Sequence, residues 1–219
     1  MREGHATRRV KPQLRGVLHQ YAFFAFLVAA AGLVLAAPSR RAVVAAMVYG
    51  GSLVSLFGVS ALFHRVTWSV STRRWMGRLD HAMISVLIAG TFTPIGLLVL
   101  SGGRARLLLT VTWCSAFVGI ALHALWLDAP KWLSALLYVA VGWTGVLAAP
   151  ELVAHVGWGA VALLGLGGLL YSAGAAVYAL RRPDPVPAVF GYHEVFHAFV
   201  VAAAVTHFAF VALYVIPHA

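Results

Sequence analysis

Apolar residues run along this chain in blocks of about twenty, the length a helix needs to cross the hydrocarbon core of a bilayer, and short polar or basic stretches separate them. Seven blocks qualify: Val17 to Ala37, Ala42 to His64, Asp80 to Leu100, Leu107 to Leu127, Trp132 to Ala149, Val156 to Leu180 and His193 to Ile216. The pattern predicts an all-α integral membrane protein, a seven-transmembrane helix bundle. Residues 1–16 form a basic N-terminal segment and residues 17–219 a single seven-transmembrane domain. The longest connections, Arg65 to Leu79 and Arg181 to Tyr192, leave no room for a separate soluble domain, and no repeat or low-complexity tract is seen.

Composition agrees. With 62% hydrophobic residues and only 16 Lys and Arg against 6 Asp and Glu, the chain is too apolar for a soluble domain. Its net charge of +10 does not mark a nucleic-acid binder, because the bases lie in short clusters between apolar blocks with no interleaved exposed aromatics. The charge is read as topology instead. Lys and Arg accumulate in cytoplasmic loops. With the N-terminus inside, the inner side holds Arg2, Arg8, Arg9, Lys11, Arg15, Arg65, Arg73, Arg74, Arg78, Lys131, Arg181 and Arg182, and the outer side only Arg40, Arg41, Arg104 and Arg106. The N-terminus is therefore expected in the cytoplasm and the C-terminus outside. Basic residues also precede Val17, but the run to Ala37 is too long for a cleaved signal core and contains His19, Gln20 and Tyr21, so it reads as a retained helix. The single cysteine, Cys114, sits within an apolar block and is expected to be a small packing residue.

Orientation brings candidate chemistry together. The second helix ends on the inner side at His64; the third begins there at Asp80, and the seventh at His193. His197 lies one turn beyond His193 on the same face, a spacing at which two imidazoles can share one metal ion. Ionisable residues inside membrane segments are costly and are functional candidates by default. Three imidazoles with an open fourth position describe a catalytic zinc centre, and one remote cysteine excludes a thiolate cage. His64, His193 and His197 are the expected ligands of a Zn2+ ion. Asp80 is either a fourth ligand or, the preferred reading, the general base that accepts a hydrogen bond from a zinc-bound water, whose pKa zinc lowers to about 7. A plain helix N-cap is the bland alternative for Asp80. Ser60, four residues before His64 on the same face, is placed to bond that water or a substrate carbonyl, or simply its own helix.

His193-Glu194-x-x-His197 also spells the zinc-protease motif HExxH. Glu194 is rotated about 100° from His193, which ranks it below Asp80 as a base, and it also suits a helix N-terminus. A soluble-type protease is disfavoured because the motif heads a membrane helix. Other polar residues are assigned less. His81 points away from Asp80; His19 and His123 near inner helix ends remain possible replacement ligands. Thr91 and His207 would lie some 15–20 Å deeper at about 1.5 Å per residue, extending a polar cavity or cross-linking helices. Pro94 is expected to bend the third helix and free a carbonyl. Gly165, Gly167 and Gly168 read as close-packing positions.

The ordered set Ser60-Ala61-Leu62-Phe63-His64, Asp80-His81, Ala89-Gly90-Thr91-Phe92-Thr93-Pro94 and His193-Glu194-x-x-His197 resembles the bacterial hemolysin III proteins. These belong to the progestin and adipoQ receptor superfamily with the adiponectin receptors, and are more distantly similar to alkaline ceramidases. The likeness spans nearly the whole chain. Lys11-Pro12-x-Leu14-Arg15-Gly16-x-Leu18-His19 resembles a variant of the family opening that lacks its acidic-and-asparagine pattern. The resemblance implies a seven-helix fold with zinc near the cytoplasmic face, ligation by His64, His193 and His197, water binding by Asp80, and Ser60 nearby. It also implies membrane-lipid homeostasis or hydrolysis of a lipid amide.

The function expected from these readings is zinc-dependent hydrolysis of an amide or ester in a membrane lipid or lipid-like substrate, in the plasma membrane, here a bacterial inner membrane. The alternatives are a non-enzymatic sensor whose helices zinc staples together, and a pore-forming cytolysin. No amphipathic segment able to refold into a pore supports the last.

Overall fold

The computed structural model describes residues 11–126 and 131–219, and apart from an isolated bridge between Val186 and Phe190 every regular element among them is helical. The helices are α1 (Val17–Leu35), α2 (Arg40–Arg65), α3 (Val70–Pro94), α4 (Gly102–Leu125), α5 (Lys131–Gly142), α6 (Ala149–Val156), α7 (Trp158–Leu180) and α8 (Tyr192–Phe210). A 3-10 stretch, Trp143–Ala148, joins α5 to α6. Together they supply seven spans long and apolar enough to cross a membrane. Of the basic residues expected on the inner side, Arg2, Arg8 and Arg9 fall outside the described residues, as do residues 1–10 of the N-terminal segment.

Local chemistry sets the boundaries. Ser39 caps α2 by accepting a hydrogen bond from the Ala42 amide at 3.1 Å, and Ser69 caps α3 by accepting one from Thr72 at 3.3 Å. The second cap corrects one expectation. Hydropathy starts the third helix at Asp80 because Arg73, Arg74 and Arg78 interrupt the apolar run. The helix instead begins at Val70 and carries those arginines on its first turns, so Asp80 lies well inside α3 and is not an N-cap.

Proline shapes two spans. The missing amide of Pro94 removes one rung of the α3 ladder, and the chain passes into a π-helical turn, Ile95–Val99, closed by a 3.0 Å bond from the Leu100 amide to the Ile95 carbonyl. Pro150 sits in the first turn of α6, where no amide is needed, so the fifth span runs on to Val156 rather than stopping at Ala149. Gly157, at φ 86°, ends it.

Consecutive helices pack against each other from α1 to α4, α7 pairs with α8, and α1 touches α8, which brings the first and last helices together. The core runs through Tyr49, Leu53 and Phe57 of α2, Phe92 of α3 and Phe210 of α8. Without a hydrophobic drive between helices in lipid, close approach of small residues holds such bundles; Gly90 lets α3 sit directly on Ser52 of α2. The periphery is apolar toward the outside. α4 buries only Leu108, Thr112 and Ala116, and Cys114 is exposed on its outer face, so the packing role expected for that cysteine is not observed.

Candidate metal centre

α2, α3 and α8 converge at the end of the bundle where α2 stops and α8 starts. His64 occupies the last turn of α2, Asp80 lies on α3, and His193 and His197 stand one turn apart at the head of α8. One ring nitrogen from each of His64, His193 and His197 lies within 4.8 Å of the other two, a grouping able to hold a metal ion. His64 is 5% and His197 2% exposed. The Nε2 atoms of His64 and His193 face each other at 3.2 Å. Two nitrogens bound to one tetrahedral zinc at about 2.0–2.1 Å would stand about 3.3 Å apart, so the pair is already spaced for a shared cation. His197 Nδ1 is buried with no hydrogen-bond partner, a polar atom that burial makes costly to leave unsatisfied. Imidazole donors with no thiolate suit a borderline metal such as zinc over calcium or magnesium. The residues therefore fit the group that the sequence anticipates.

Asp80 extends toward this cluster, its Oδ2 3.7 Å from His64 Nε2. Ser60, one turn before His64, is buried and hydrogen-bonded at 2.8 Å to His19 Nδ1, and it also neighbours the Asp80 carboxyl. His19 lies flat on His197, ring centroids 3.6 Å apart and planes within 8°, with its Nε2 buried and without a hydrogen-bond partner. It braces a candidate ligand from the first helix. Periodicity brings His19 to the correct end of the bundle, but the stacking across α1 and α8 has no local signal.

Glu194 is engaged elsewhere. Its Oε2 accepts the Gly191 amide at 2.9 Å, closing the start of α8, and its Oε1 pairs with Arg15 Nε. With 1% exposure it is the most enclosed carboxylate described, and its partners are structural. The HExxH string is thus a helix cap overlapping a pair of candidate ligands.

The remaining histidines sort themselves by contacts. His81 Nδ1 donates to the Gly77 carbonyl at 2.8 Å, leaving Nε2 to accept from Tyr178 at 3.4 Å. His123 Nε2 bonds the Tyr138 hydroxyl, which donates to the His81 carbonyl at 3.1 Å. His207 Nε2 donates to the Leu164 carbonyl at 3.1 Å, so it does cross-link helices, and its ring fills the space beside Gly167. Of the three glycines expected to be packing positions, Gly167 serves most clearly; a Cβ on Gly165 would meet nothing. Thr91 bonds the Leu87 carbonyl of its own helix.

A cavity of about 1260 Å³ connects these groups. Its rim carries Lys11 and Arg73, its wall Asp80 and His193, and its depth Thr91 and His207. Much of the remaining lining is aromatic or aliphatic, and the volume exceeds the 300–1,000 Å³ typical of small-molecule pockets.

Fold and site together define a seven-helix membrane protein with a buried histidine cluster able to hold one metal ion. The chain belongs to the haemolysin-III-related family, whose model matches residues 7–208. It is 32% identical over 172 residues to the hemolysin-3 homolog of Bacillus subtilis, covering 78% of each chain. It is 34% identical over 181 residues to hemolysin-3 of Bacillus cereus, covering 83% of this chain and 80% of the relative. The adiponectin receptor protein of Drosophila melanogaster is 32% identical over 178 residues, which span 72% of this chain and 39% of the receptor.

Proposed function

We propose that this protein is a zinc-dependent hydrolase of a lipid amide or ester, working near the cytoplasmic face of a cell membrane with its N-terminus inside. The observation that carries the reading is the juxtaposition of His64, His193 and His197 with one carboxylate, Asp80, whose Oδ2 stands 3.7 Å from His64 Nε2, on the wall of a lipid-sized cavity. His64, His193 and His197 would hold the metal, each through one ring nitrogen. When bound, a divalent metal supplies Lewis acidity, polarising a carbonyl and making water a better nucleophile.

The chain's own groups supply the rest. Asp80 takes the proton from the attacking water and returns it to the leaving nitrogen or oxygen as the bond from the acyl carbon breaks and a new carbon–oxygen bond forms. Its neighbour Ser60, fixed by His19, steers that carboxyl or donates to the substrate carbonyl. The apolar wall holds the acyl chain and keeps bulk water from the reacting carbonyl.

The test uses purified protein loaded with zinc and a panel of lipid amides and esters. Wild type should release acyl chains, and Asp80→Asn should lose about 10²–10⁴-fold in rate, the usual worth of a general base, while binding the same amount of metal. Equal rates for the two would sink the hydrolase reading.

A further inference from the structure

Basic residues converge on the mouth of the cavity. Lys11, Arg15, Arg73, Arg74 and Arg78 all line it. Lys11 is carried there by the segment before α1, which is pinned by bonds from the Gln13 amide to the Ala188 carbonyl at 3.0 Å and from Leu14 to Val189 at 3.1 Å. Arg73, Arg74 and Arg78 ride the early turns of α3. Arg74 and Arg78 stand four residues apart, a like-charge spacing that costs a helix stability. Two guanidinium groups lie over aromatic rings, Arg73 5.1 Å from the Phe63 centroid and Arg78 4.2 Å from that of Trp75.

Nothing described neutralises Lys11, Arg73, Arg74 or Arg78. Of the four described acidic side chains, Glu151 pairs with Arg104 at the opposite end of the bundle and Glu194 with Arg15; Asp184 accepts the Tyr192 amide, and Asp80 faces His64. Among the described residues Lys11, Arg73, Arg74 and Arg78 thus have no ion-pair partner. The ammonium of Lys11 feels this: burial first, then Arg73, Arg65 and Arg15, hold its pKa below the ordinary lysine value. Topology explains how many bases sit at this end, but it does not require them to line a largely apolar cavity.

We propose that this rim binds the phosphate head of an amphiphile whose aliphatic tail occupies the cavity. Guanidinium groups pair with phosphate oxygens in a forked, charge-assisted geometry, and the chamber behind them receives the tail. The inference names a substrate class for the proposed hydrolase, a phosphate-bearing lipid, yet it concerns binding and stands or falls separately from turnover.

The experiment titrates the full-length wild-type protein, in an uncharged maltoside detergent, with dodecyl phosphate, dodecanol and inorganic phosphate. None of these has an acyl carbonyl, so binding is read without hydrolysis. Dodecyl phosphate should bind at least tenfold more tightly than either of the others. The combined Arg73→Gln, Arg74→Gln and Arg78→Gln variant should lose that advantage. Equal affinity for dodecanol, equal affinity for inorganic phosphate, or an undiminished preference in the variant would each overturn the proposal. A second readout needs no variant: dodecyl phosphate should slow acylation of the Lys11 amine in the wild type by raising its pKa, and dodecanol should not. Unchanged Lys11 reactivity at saturating dodecyl phosphate would also overturn it.

Discussion

Gly16 stands so close to His64 that a Cβ on residue 16 would lie 2.5 Å from the Cβ of the histidine. Its φ of 81° is in the left-handed region, where a side chain is strained. This glycine caps α1 and at the same time sets the wall behind a candidate metal ligand.

Gly16→Ala should therefore disturb both roles. Strain at positive φ costs about 1–3 kcal/mol, and the alanine methyl group must push His64 or the N-terminal segment aside. The expected outcome is a lower melting temperature in detergent together with weaker metal retention. Unaltered values for both would mean that Gly16 does not lie against His64.

Glu194→Gln separates a cap from a catalyst. Breaking a buried ion pair costs about 3–5 kcal/mol, so this variant should melt earlier while keeping metal content and lipid turnover within a few-fold of wild type. Asp80→Asn should instead lose turnover while keeping its metal and a melting temperature near that of wild type. If Glu194→Gln abolished turnover without changing stability, the carboxylate roles assigned to the two residues would have to be exchanged.

The extent to which these roles were legible differs by residue. Hydropathy finds all seven spans, and alternating orientation brings His64, Asp80 and His193 to one end without any structure. The start of α3 is not legible from hydropathy because charge on Arg73, Arg74 and Arg78 reads as a loop, although a helix projecting past an apolar layer tolerates arginine well. Ser69 was the available signal. Cys114 was misjudged because apolar periodicity does not distinguish a lipid-facing side from a packed one when both are greasy. The stacking of His19 on His197 and the pairing of Arg15 with Glu194 join the first helix to the last, and no local pattern encodes contacts of that range.

Metal removal gives a third prediction. A ligand that binds only the folded state stabilises it by about 2.7 kcal/mol at a hundredfold excess over its dissociation constant. Elemental analysis should find one zinc per chain in wild type and none in His197→Ala. Chelation should lower the wild-type melting temperature and leave that of His197→Ala where it was. A chelator effect of the same size on both proteins would place the metal elsewhere.

Lys11 offers a pH test. Burial and then the neighbouring Arg73, Arg65 and Arg15 hold its folded-state pKa below the unfolded value of 10.5. While Lys11 is charged in both states, the folded protein bears the unfavourable burial and repulsion. As pH rises through the lowered folded pKa toward 10.5, the folded state sheds its proton first, so this contribution to stability increases with pH. Melting curves between mildly alkaline pH and that limit should show a gain in wild type relative to Lys11→Met, and added salt should shrink the repulsive part of it. Parallel curves for the two proteins would show that Lys11 is not held near the arginines.

His64 and His193, whose Nε2 atoms meet at 3.2 Å, are 129 positions apart in the chain. A ribosome must therefore deliver almost the entire polypeptide into the membrane before the three candidate ligands can meet. Nascent chains halted before the last helix would carry only His64 of the three. A metal held by these three histidines would thus join the last helix to the second only once the last span is in place.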